Sequence, residues 1–301
     1  MKHLLSIYDI KDEIHTYIEL AQKIKRDAKK GVYKTPLKNK SLAMIFEKSS
    51  TRTRVSFEVA MTQLGGHALF LSPKDMQIGR GETIADTAKV LSRYVDGIMY
   101  RAFSHTNMVE LARHASVPVI NGLDDVEHPC QILADLLTVK EKKGTFKGRK
   151  LAYVGDGNNV CHSLILGCAA VGMDIAVATP RGYEPDGNIV DRAEHYTKAS
   201  IDITHNPQDA VTNADVVYTD VWVSMGDEDE AEIRKQKFRP YQVNSALLSH
   251  AKKDAIVMHC LPAHRGLEIT DEVMDGPHSV VFDQAENRLH AQKAVLVKLL
   301  R

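Results

Sequence analysis

Segments with the apolar pattern of buried strands alternate with segments of helical spacing along most of this 301-residue chain. In the first half, the pattern predicts strands at 41–46, 68–71 and 97–100, with helices at 55–64 and 82–94 between them. Alternating strands and helices are typical of α/β proteins, in which helices cover a largely parallel sheet. The alternation therefore predicts the α/β fold class before any side chain is assigned a role.

A second series of the same kind begins at residue 150. A helix is predicted at 160–171, with strands before and after it. The predicted strands of this series are 150–154, 174–178, 216–219, 255–259 and 280–282. The second half should therefore form another α/β unit with its own parallel sheet.

The polar stretch Lys-Gly-Thr-Phe-Lys-Gly-Arg at 143–149 separates the two series. A chain of this length commonly forms two domains, and such a stretch is typical of a hinge. We predict two doubly wound parallel-sheet domains, 1–145 and 146–285, joined by interdomain helices and with a cleft between them. The segment 286–301 is amphipathic, so we expect it to pack back on the first domain.

The charge balance excludes some classes of partner. Lysine and arginine together number 39, as do aspartate and glutamate, so no net field attracts nucleic acid or an anionic membrane. No apolar run approaches the roughly 20 residues of a membrane span. Residues 1–10 do not resemble a signal peptide, which predicts a cytoplasmic protein. The four cysteines form no Cys-x-x-Cys pair, so we expect free thiols rather than a disulfide or zinc framework.

The segment 49–54 reads Ser-Ser-Thr-Arg-Thr-Arg and directly precedes a predicted helix. Unpaired N–H groups and the dipole at a helix N-terminus favour phosphate, and Arg52 and Arg54 can add forked donors to phosphoryl or carboxylate oxygens. A serine or threonine helix cap with two solvated arginines is the alternative. The density of basic and hydroxyl groups favours an anion-binding segment.

Polar residues follow the predicted strands in both halves of the chain. In the first half they are Arg52, Arg101, His128 and Gln131. In the second half they are Asn158, Asn159, Asp220 and Cys260. Ligands of open parallel sheets bind outside the carboxyl ends of the strands, so each set is expected to share one edge of its sheet. An anion on one edge and an amine- or carboxylate-bearing molecule on the other would suit this arrangement.

The sequence Gly155-x-Gly157 follows a predicted strand and opens a helix, as in dinucleotide-binding proteins. The third glycine of that pattern is replaced by Val160, and the next strand ends in Thr179 and a proline rather than an acid. We therefore predict a tight turn rather than a nicotinamide site. The turn either aims Asn159 at a ligand or is purely structural.

The sequence His128-Pro-Cys-Gln131 places an imidazole and a carboxamide at a predicted helix start. The two groups can polarise a carbonyl oxygen, or they can form a simple cap arrangement. Candidate metal ligands are His128, Cys130, His259, Cys260 and His264. Their spacings match no familiar zinc pattern, so we predict no metal site.

Two further segments carry candidate ligands in the second half. Asp220 begins the sequence Asp-Val-Trp-Val-Ser-Met-Gly, and its carboxylate can hold an ammonium group. Met225 and Gly226 supply an apolar contact and a flexible joint, which suit a lid. Cys260 ends a buried strand, where a nucleophilic thiol and an inert buried thiol are both open interpretations.

These segments together resemble the ornithine carbamoyltransferases, and the resemblance spans almost the whole chain. The shared motifs, in the order of that family, are Ser-Thr-Arg-Thr-Arg, Asp-Met-Gln-Ile-Gly-Arg-Gly-Glu, His-Pro-Cys-Gln, Gly-Asp-Gly-Asn-Asn, Asp-x-Trp-x-Ser-Met-Gly, His-Cys-Leu-Pro-Ala-His-Arg-Gly and Glu-Asn-Arg-Leu-His-Ala-Gln-Lys. Aspartate carbamoyltransferases resemble the first half. They typically carry threonine at the position of Cys130 and lack the Ser-Met-Gly and His-Cys-Leu-Pro segments.

The resemblance implies two sets of site residues. Carbamoyl phosphate would be held by Ser50, Thr51, Arg52, Thr53, Gln77, Arg101, His128, Gln131, Cys260, Leu261 and Arg288. Ornithine would be held by Asn159, Asp220, Ser224 and Met225. Arg101, His128 and Cys260 are the implied catalytic residues. Gln77 is implied to reach a neighbouring subunit's site in a homotrimer or a multiple of trimers.

The implied reaction transfers the carbamoyl group of carbamoyl phosphate to the side-chain amine of L-ornithine. It gives L-citrulline and phosphate, needs no cofactor and belongs to arginine metabolism, in arginine biosynthesis or breakdown. A carbamoyltransferase for a related amine such as putrescine is the nearer alternative. An oxidoreductase and a non-catalytic anion-binding protein are the more distant ones.

Overall fold

The computed structural model describes residues 2–78, 81–224 and 228–301. Its first sheet contains the strands β1 (Ser41–Phe46), β2 (His67–Leu71), β3 (Gly97–Arg101) and β4 (Val119–Leu123). The strands run parallel in the order β2-β1-β3-β4. The central strands β1 and β3 are buried almost throughout, whereas the edge strand β2 is partly exposed. Continuous apolar runs are expected for parallel strands that are covered on both faces.

Helices connect and cover these strands. They are α1 (Ile14–Lys29), α2 (Thr51–Gln63), α3 (Ile84–Leu91), α4 (His105–His114) and α5 (Pro129–Lys143), with short 3-10 helices at Ile7–Glu13 and Pro73–Asp75. Ala43, Ile45, Ile98 and Tyr100 of the central strands pack with apolar residues of α3 and α4 in one buried cluster. The core of this unit therefore lies between the sheet and its helices.

The second sheet contains five parallel strands. They are β5 (Lys150–Val154), β6 (Asp174–Ala178), β7 (Ile201–Thr204), β8 (Val216–Thr219) and β9 (Ile256–His259), in the order β7-β6-β5-β8-β9. The helices that follow β5 along the chain are α6 (Asn159–Val171), α7 (Gly187–Glu194), α8 (Pro207–Val211), α9 (Ala231–Phe238), α10 (Ser245–Leu248), α11 (Asp271–Met274) and α12 (Val281–Leu300), and most of α12 belongs to the first unit. Short 3-10 helices lie at Glu228–Glu230 and Arg239–Tyr241. The prediction of two α/β units with parallel sheets is confirmed.

The chain divides into two compact units. One contains Met1–Leu137 and Glu286–Arg301, and the other contains Thr138–Ala285. The division falls within α5, ahead of the boundary predicted near residue 145, because a long helix runs across it and the polar stretch comes only at the end of that helix. In the first unit Lys25 Nζ donates a hydrogen bond of 2.7 Å to Asn287 Oδ1, which joins α12 to α1.

Two details of the second unit differ from the sequence prediction. Residues 280–282 were predicted as a strand, but Val281 begins α12. Three apolar residues do not distinguish a strand from a helix start, so this prediction was wrong. The edge strand β7 was not predicted, because only its two end residues are even partly buried and it has no apolar run. Within the described ranges, no helix combines the length and apolar character that a bilayer span requires.

Both sheets have a point where the strand order reverses. In the first sheet β1 lies between β2 and β3, and in the second sheet β5 lies between β6 and β8. At such a point, the chain leaves two adjacent strands in opposite directions, which opens a crevice at their carboxyl ends. The adjacent strands are β1 and β3 in the first sheet and β5 and β8 in the second. The loops after β1 and β3 lie at one reversal, and the loops after β5 and β8 lie at the other.

Candidate active site

The loop after β1 leads directly into the N-terminus of α2. Ser50 is the N-cap of this helix, with extended backbone, and its Oγ accepts a hydrogen bond of 3.1 Å from the Thr53 N–H. Thr51 is exposed, Arg52 is half-buried and Thr53 is buried. The helix cap expected as an alternative is therefore present. A cap orders the first turn, and the N–H groups of that turn remain suited to bind an anion.

Arg54 does not join the anion-binding groups. Its Nε donates a hydrogen bond of 3.0 Å to Glu58 Oε1, and its guanidinium lies 3.8 Å from the centroid of the Phe70 ring on β2. These contacts give Arg54 a structural role between α2 and the edge strand. Arg52, by contrast, contributes its charge to the electrostatic environment of His128.

Arg288 of α12 is buried and contacts α2 and α5 within the first unit. Its Nη1 donates to Gln131 Oε1 at 2.6 Å, and its Nη2 donates to Thr53 Oγ1 at 3.2 Å. Gln131 Nε2 in turn donates to Asp135 Oδ1 at 2.8 Å. The neutral acceptors on Gln131 and Thr53 orient the guanidinium, and they do not neutralise its charge.

His128 lies directly before α5 and is buried. Burial lowers the pKa of His128 well below its ordinary value, and the nearby charges of Arg288, Arg101 and Arg52 lower it further. The imidazole is therefore neutral at pH 7, with one N–H donor and one acceptor nitrogen. Three guanidinium groups near a neutral imidazole form an electropositive site that suits an anion.

Arg101 is the last residue of β3 and is buried. The register between β3 and β4 shifts between Tyr100 and Arg101. Such an irregularity re-aims the side chain that follows it. Arg101, at the carboxyl end of β3, contributes to the electrostatic environment of His128, as the sequence predicted from its position at the strand's end.

Glu47 is a residue of this site that the sequence analysis did not assign. Its Oε1 accepts a hydrogen bond of 2.6 Å from the Tyr100 hydroxyl, and its Oε2 accepts one of 2.7 Å from the Phe103 N–H. The Glu47 N–H donates to the Arg101 carbonyl at 2.9 Å. These contacts join the loops after β1 and β3. The available sequence signal was a carboxylate immediately after a buried apolar strand.

Cys130 is a structural residue in this environment. Burial raises the pKa of the Cys130 thiol to about 12, and its Sγ donates a hydrogen bond to the Asn121 carbonyl at 3.5 Å. A thiol with so high a pKa stays protonated at neutral pH and is not a nucleophile.

The second unit brings residues from three strand ends together. Asn158 caps α6, and its Oδ1 accepts hydrogen bonds from the Val160 and Cys161 N–H groups at 3.0 and 3.2 Å. Asn158 Nδ2 donates to Asp220 Oδ2 at 3.0 Å, and Cys260 Sγ donates to Asp220 Oδ1 at 2.9 Å. The loops after β5, β8 and β9 therefore converge on the buried carboxylate of Asp220.

The remaining predicted ligands of the second unit have less defined surroundings. Asn159 is the first residue of α6 and is half-buried, and Asn158 rather than Asn159 bonds Asp220. Ser224 is half-buried, and Met225 with the predicted lid lies outside the described residues. Leu261 has a positive φ of 59°, and its N–H donates to His259 Nδ1 at 2.9 Å. In the first unit, Gln77 is exposed.

Asp220, His259 and Cys260 place one potential metal-ligand atom each within 4.8 Å of one another. His259 Nδ1 accepts from the Leu261 N–H, so Nε2 carries the ring hydrogen and donates to Glu268 Oε1 at 3.2 Å. Both ring nitrogens are therefore engaged with the protein. A metal would have to break one of these bonds, so the cluster fits a hydrogen-bonded network better than a metal centre.

Close packing of the backbone accounts for the glycine at position 157, after β5. A Cβ at this position would lie 2.3 Å from the Pro185 nitrogen and 2.5 Å from the Glu184 carbonyl carbon. The neighbouring Asp156 accepts a hydrogen bond of 2.8 Å at Oδ2 from Arg234 Nη1, which also donates to the Trp222 carbonyl at 3.3 Å. The glycine thus permits close backbone packing, as a structural turn requires.

One open parallel sheet has an electropositive helix N-terminus at its reversal point, and the other has a carboxylate and a thiol there. This arrangement is typical of α/β proteins that bind small ligands at the strand ends. The chain belongs to the aspartate/ornithine carbamoyltransferase family. Residues 2–141 match the family model described as "carbamoyl-P binding domain", and residues 147–299 match the one described as "Asp/Orn binding domain". The resemblance found in the sequence motifs is confirmed.

Relatives named ornithine carbamoyltransferase match almost the whole chain. An Archaeoglobus fulgidus protein named ornithine carbamoyltransferase is 60% identical over 301 residues, which cover 100% of this chain and 98% of that protein. A Thermoplasma volcanium protein named "Ornithine carbamoyltransferase, catabolic" is 56% identical over 302 residues, covering 99% and 98%. The solved structure of the Pyrococcus furiosus ornithine carbamoyltransferase has a TM-score of 0.96 at 57% identity, covering 99% and 97%.

Replacing Gly157 by alanine is expected to destabilise the protein. The added Cβ would lie 2.3 Å from the Pro185 nitrogen and 2.5 Å from the Glu184 carbonyl carbon, so the backbone would have to shift. Overpacking of this kind costs about 1–3 kcal/mol. Urea unfolding measures the change. Gly187→Ala is the matched control, because nothing lies within 4 Å of a Cβ at this first residue of α7. Equal losses in the two variants would contradict the packing role of Gly157.

Proposed function

We propose that this chain transfers the carbamoyl group of carbamoyl phosphate to the side-chain amine of L-ornithine, giving L-citrulline and phosphate. Its membership of the family and the names of its full-length relatives support this reaction. The observation that carries the proposal is the neutral His128 among the charges of Arg52, Arg101 and Arg288. This arrangement binds an anion and still offers an uncharged donor to a carbonyl oxygen.

Carbamoyl phosphate binds to the first unit in this proposal. The first turn of α2, with Ser50, Thr51 and the side chain of Arg52, holds the phosphate group. Arg101, His128 and Thr53 stabilise negative charge on the carbonyl oxygen as the tetrahedral intermediate forms. Gln131 and Arg288 complete this set, and their hydrogen bond of 2.6 Å keeps the guanidinium in place.

Ornithine binds to the second unit, with Asn159, Asp220, Ser224 and Met225 as its ligands. The buried carboxylate of Asp220 suits an ammonium group. Cys260 donates its hydrogen to Asp220 and, with Leu261, lies at the reacting end of the substrate. Putrescine lacks the α-amino acid head that these polar ligands would recognise, so ornithine is the favoured substrate.

The amine must lose its proton before it attacks the carbamoyl carbon. With a lysine-like pKa near 10.4, the neutral form costs about 4.6 kcal/mol at pH 7. Removal of the amine from water lowers that cost, since desolvation disfavours the ammonium form. The ammonium group first releases one proton to solvent. The neutral amine nitrogen then bonds to the carbamoyl carbon, the bond from that carbon to the phosphate oxygen breaks, and the departing phosphate accepts the second proton, which the bonded nitrogen gives up.

The proposal extends to the setting of the reaction. We place it in arginine metabolism in the cytoplasm, without a cofactor. The same side chains serve synthesis and breakdown of citrulline, so they do not select a direction. We also propose a homotrimer, or a multiple of trimers, in which Gln77 reaches a neighbouring subunit's site. The exposed position of Gln77 in the first unit suits such a contact.

Side-by-side assays with ornithine, putrescine and aspartate test the reaction. With carbamoyl phosphate present, ornithine is expected to release phosphate and form citrulline at least about 100-fold faster than either rival, because a site built for polar groups rejects substrates that lack them. Faster turnover of putrescine would transfer the assignment to another amine. No phosphate release with any of the three would remove the carbamoyltransferase proposal.

Arg52→Ala is expected to weaken carbamoyl phosphate binding by about 100-fold or more, because it removes a charge-assisted donor to the phosphate. The KM for carbamoyl phosphate and a direct binding titration measure the effect. Arg54→Ala is the control from the same helical turn, since Arg54 contacts Glu58 and Phe70 instead. An unchanged affinity in Arg52→Ala, or an equal loss in both variants, would exclude Arg52 as the phosphate ligand.

Turnover is expected to rise with pH from 6 to about 8.5, since the neutral fraction of the substrate amine grows about tenfold per unit. The lowered pKa of His128 keeps the imidazole neutral across this range, so its titration adds no step near its ordinary value. The pH dependence of kcat at saturating substrates measures this. A flat profile over this range would contradict an amine-limited reaction.

A further inference from the structure

A cavity of about 420 Å³ lies within the first unit, away from the residues assigned to the reaction. Its walls come from α1, from the segment 32–36, from the end of α2 and from the last turns of α12. Apolar side chains form much of the lining, among them Leu20, Ile24, Val32, Leu64 and Val297. A partly enclosed cavity of this size with an apolar lining is large enough for a small organic molecule.

Lys293 lines this cavity and is 1% exposed. Its Nζ donates a hydrogen bond to Gln63 Oε1 and lies 5.7 Å from the centroid of the Tyr33 ring. Both of these contacts are with uncharged groups. A buried ammonium is usually paired with a carboxylate, because burial of a single charge is costly. Gln63 and Tyr33 orient the amine without supplying that negative charge.

The other charged residues around the cavity are mainly basic. Among the side chains of the described lining residues, those of Lys23, Lys34, Lys293 and Arg301 are basic and that of Asp27 is acidic. Burial lowers the pKa of Lys293 to about 8, so the amine is mostly protonated at pH 7. On α12 itself, burial lowers the pKa of His290, and the charge of Lys293 contributes to that shift. The cavity therefore has an apolar body and an excess of positive charge.

We propose that this cavity is a second ligand site, which binds a small organic carboxylate with an apolar body and uses Lys293 as its counter-ion. Because Lys293 is 1% exposed, the carboxylate replaces Gln63 Oε1 as the acceptor at Nζ. The apolar body of the ligand lies against the side chains of α1 and α12. An inorganic anion would use the charge and leave the apolar lining without a partner. The site is separate from the carbamoyl transfer proposed above, and either assignment stands if the other fails.

Benzoate is a suitable probe, and benzamide is its uncharged analogue of the same shape. In protein labelled with ¹³C at lysine Cε, the Lys293 resonance is identified by its absence from Lys293→Met. Saturating benzoate is expected to raise the titration midpoint of this resonance from about 8 by at least about half a unit, because an anion favours the charged amine. Benzamide is expected to leave the midpoint unchanged.

Calorimetry of the intact protein supplies the second measurement. Lys293→Met is expected to weaken benzoate binding by at least about tenfold, the loss of one charge-assisted contact. Lys298→Met, which removes an exposed lysine of the same helix, is expected to bind as the unaltered protein does. A Lys293 resonance that does not respond to benzoate would overturn the proposal. Equal benzoate affinity in Lys293→Met and the unaltered protein would overturn it as well.

Discussion

The first unit depends on positive charge gathered near a buried, neutral imidazole. Arg52, Arg101 and Arg288 surround His128, and arginine keeps its charge under desolvation whereas imidazole loses its own. The three guanidinium groups repel one another. They stay close together because α2, β3 and α12, which carry them, are held in place by packing that does not involve these charges. The hydrogen bonds from Arg288 to Gln131 and Thr53 fix the geometry in advance. An anion that enters this site relieves repulsion and meets donors that are already oriented.

The second unit buries a charge of the opposite sign at the equivalent point of its sheet. There the buried charge is the carboxylate of Asp220, and a carboxamide and a thiol donate to it. Both sites lie where the strand order reverses, because two loops leave adjacent strands in opposite directions there. The reversal of strand order therefore carries positive charge in the first unit and negative charge in the second. Such a division suits a reaction between an anionic donor and an amine.

The sequence predicted the strands whose apolar runs are continuous, such as β1 and β5, because a parallel strand buried on both faces leaves that signal. It did not predict β7 and misread Val281, since short or exposed segments lack such a signal. The predicted arginines and His128 do share one electrostatic environment. The partners of Arg54, and the part of Glu47 in joining two loops, depend on residues distant in sequence, and no local pattern contains that information.

Helix α12 shows how one element can serve two separate places. Arg288 and Lys293 are five positions apart, which turns their side chains about 140° from each other around the helix. Arg288 contacts α2 and α5, whereas Lys293 faces the cavity beside α1. The residue types fit these positions, because guanidinium keeps its charge at any physiological pH and a buried lysine titrates close to it. A lysine beside an apolar cavity is thus sensitive to whether an anion is present, in a way that an arginine at the same position would not be.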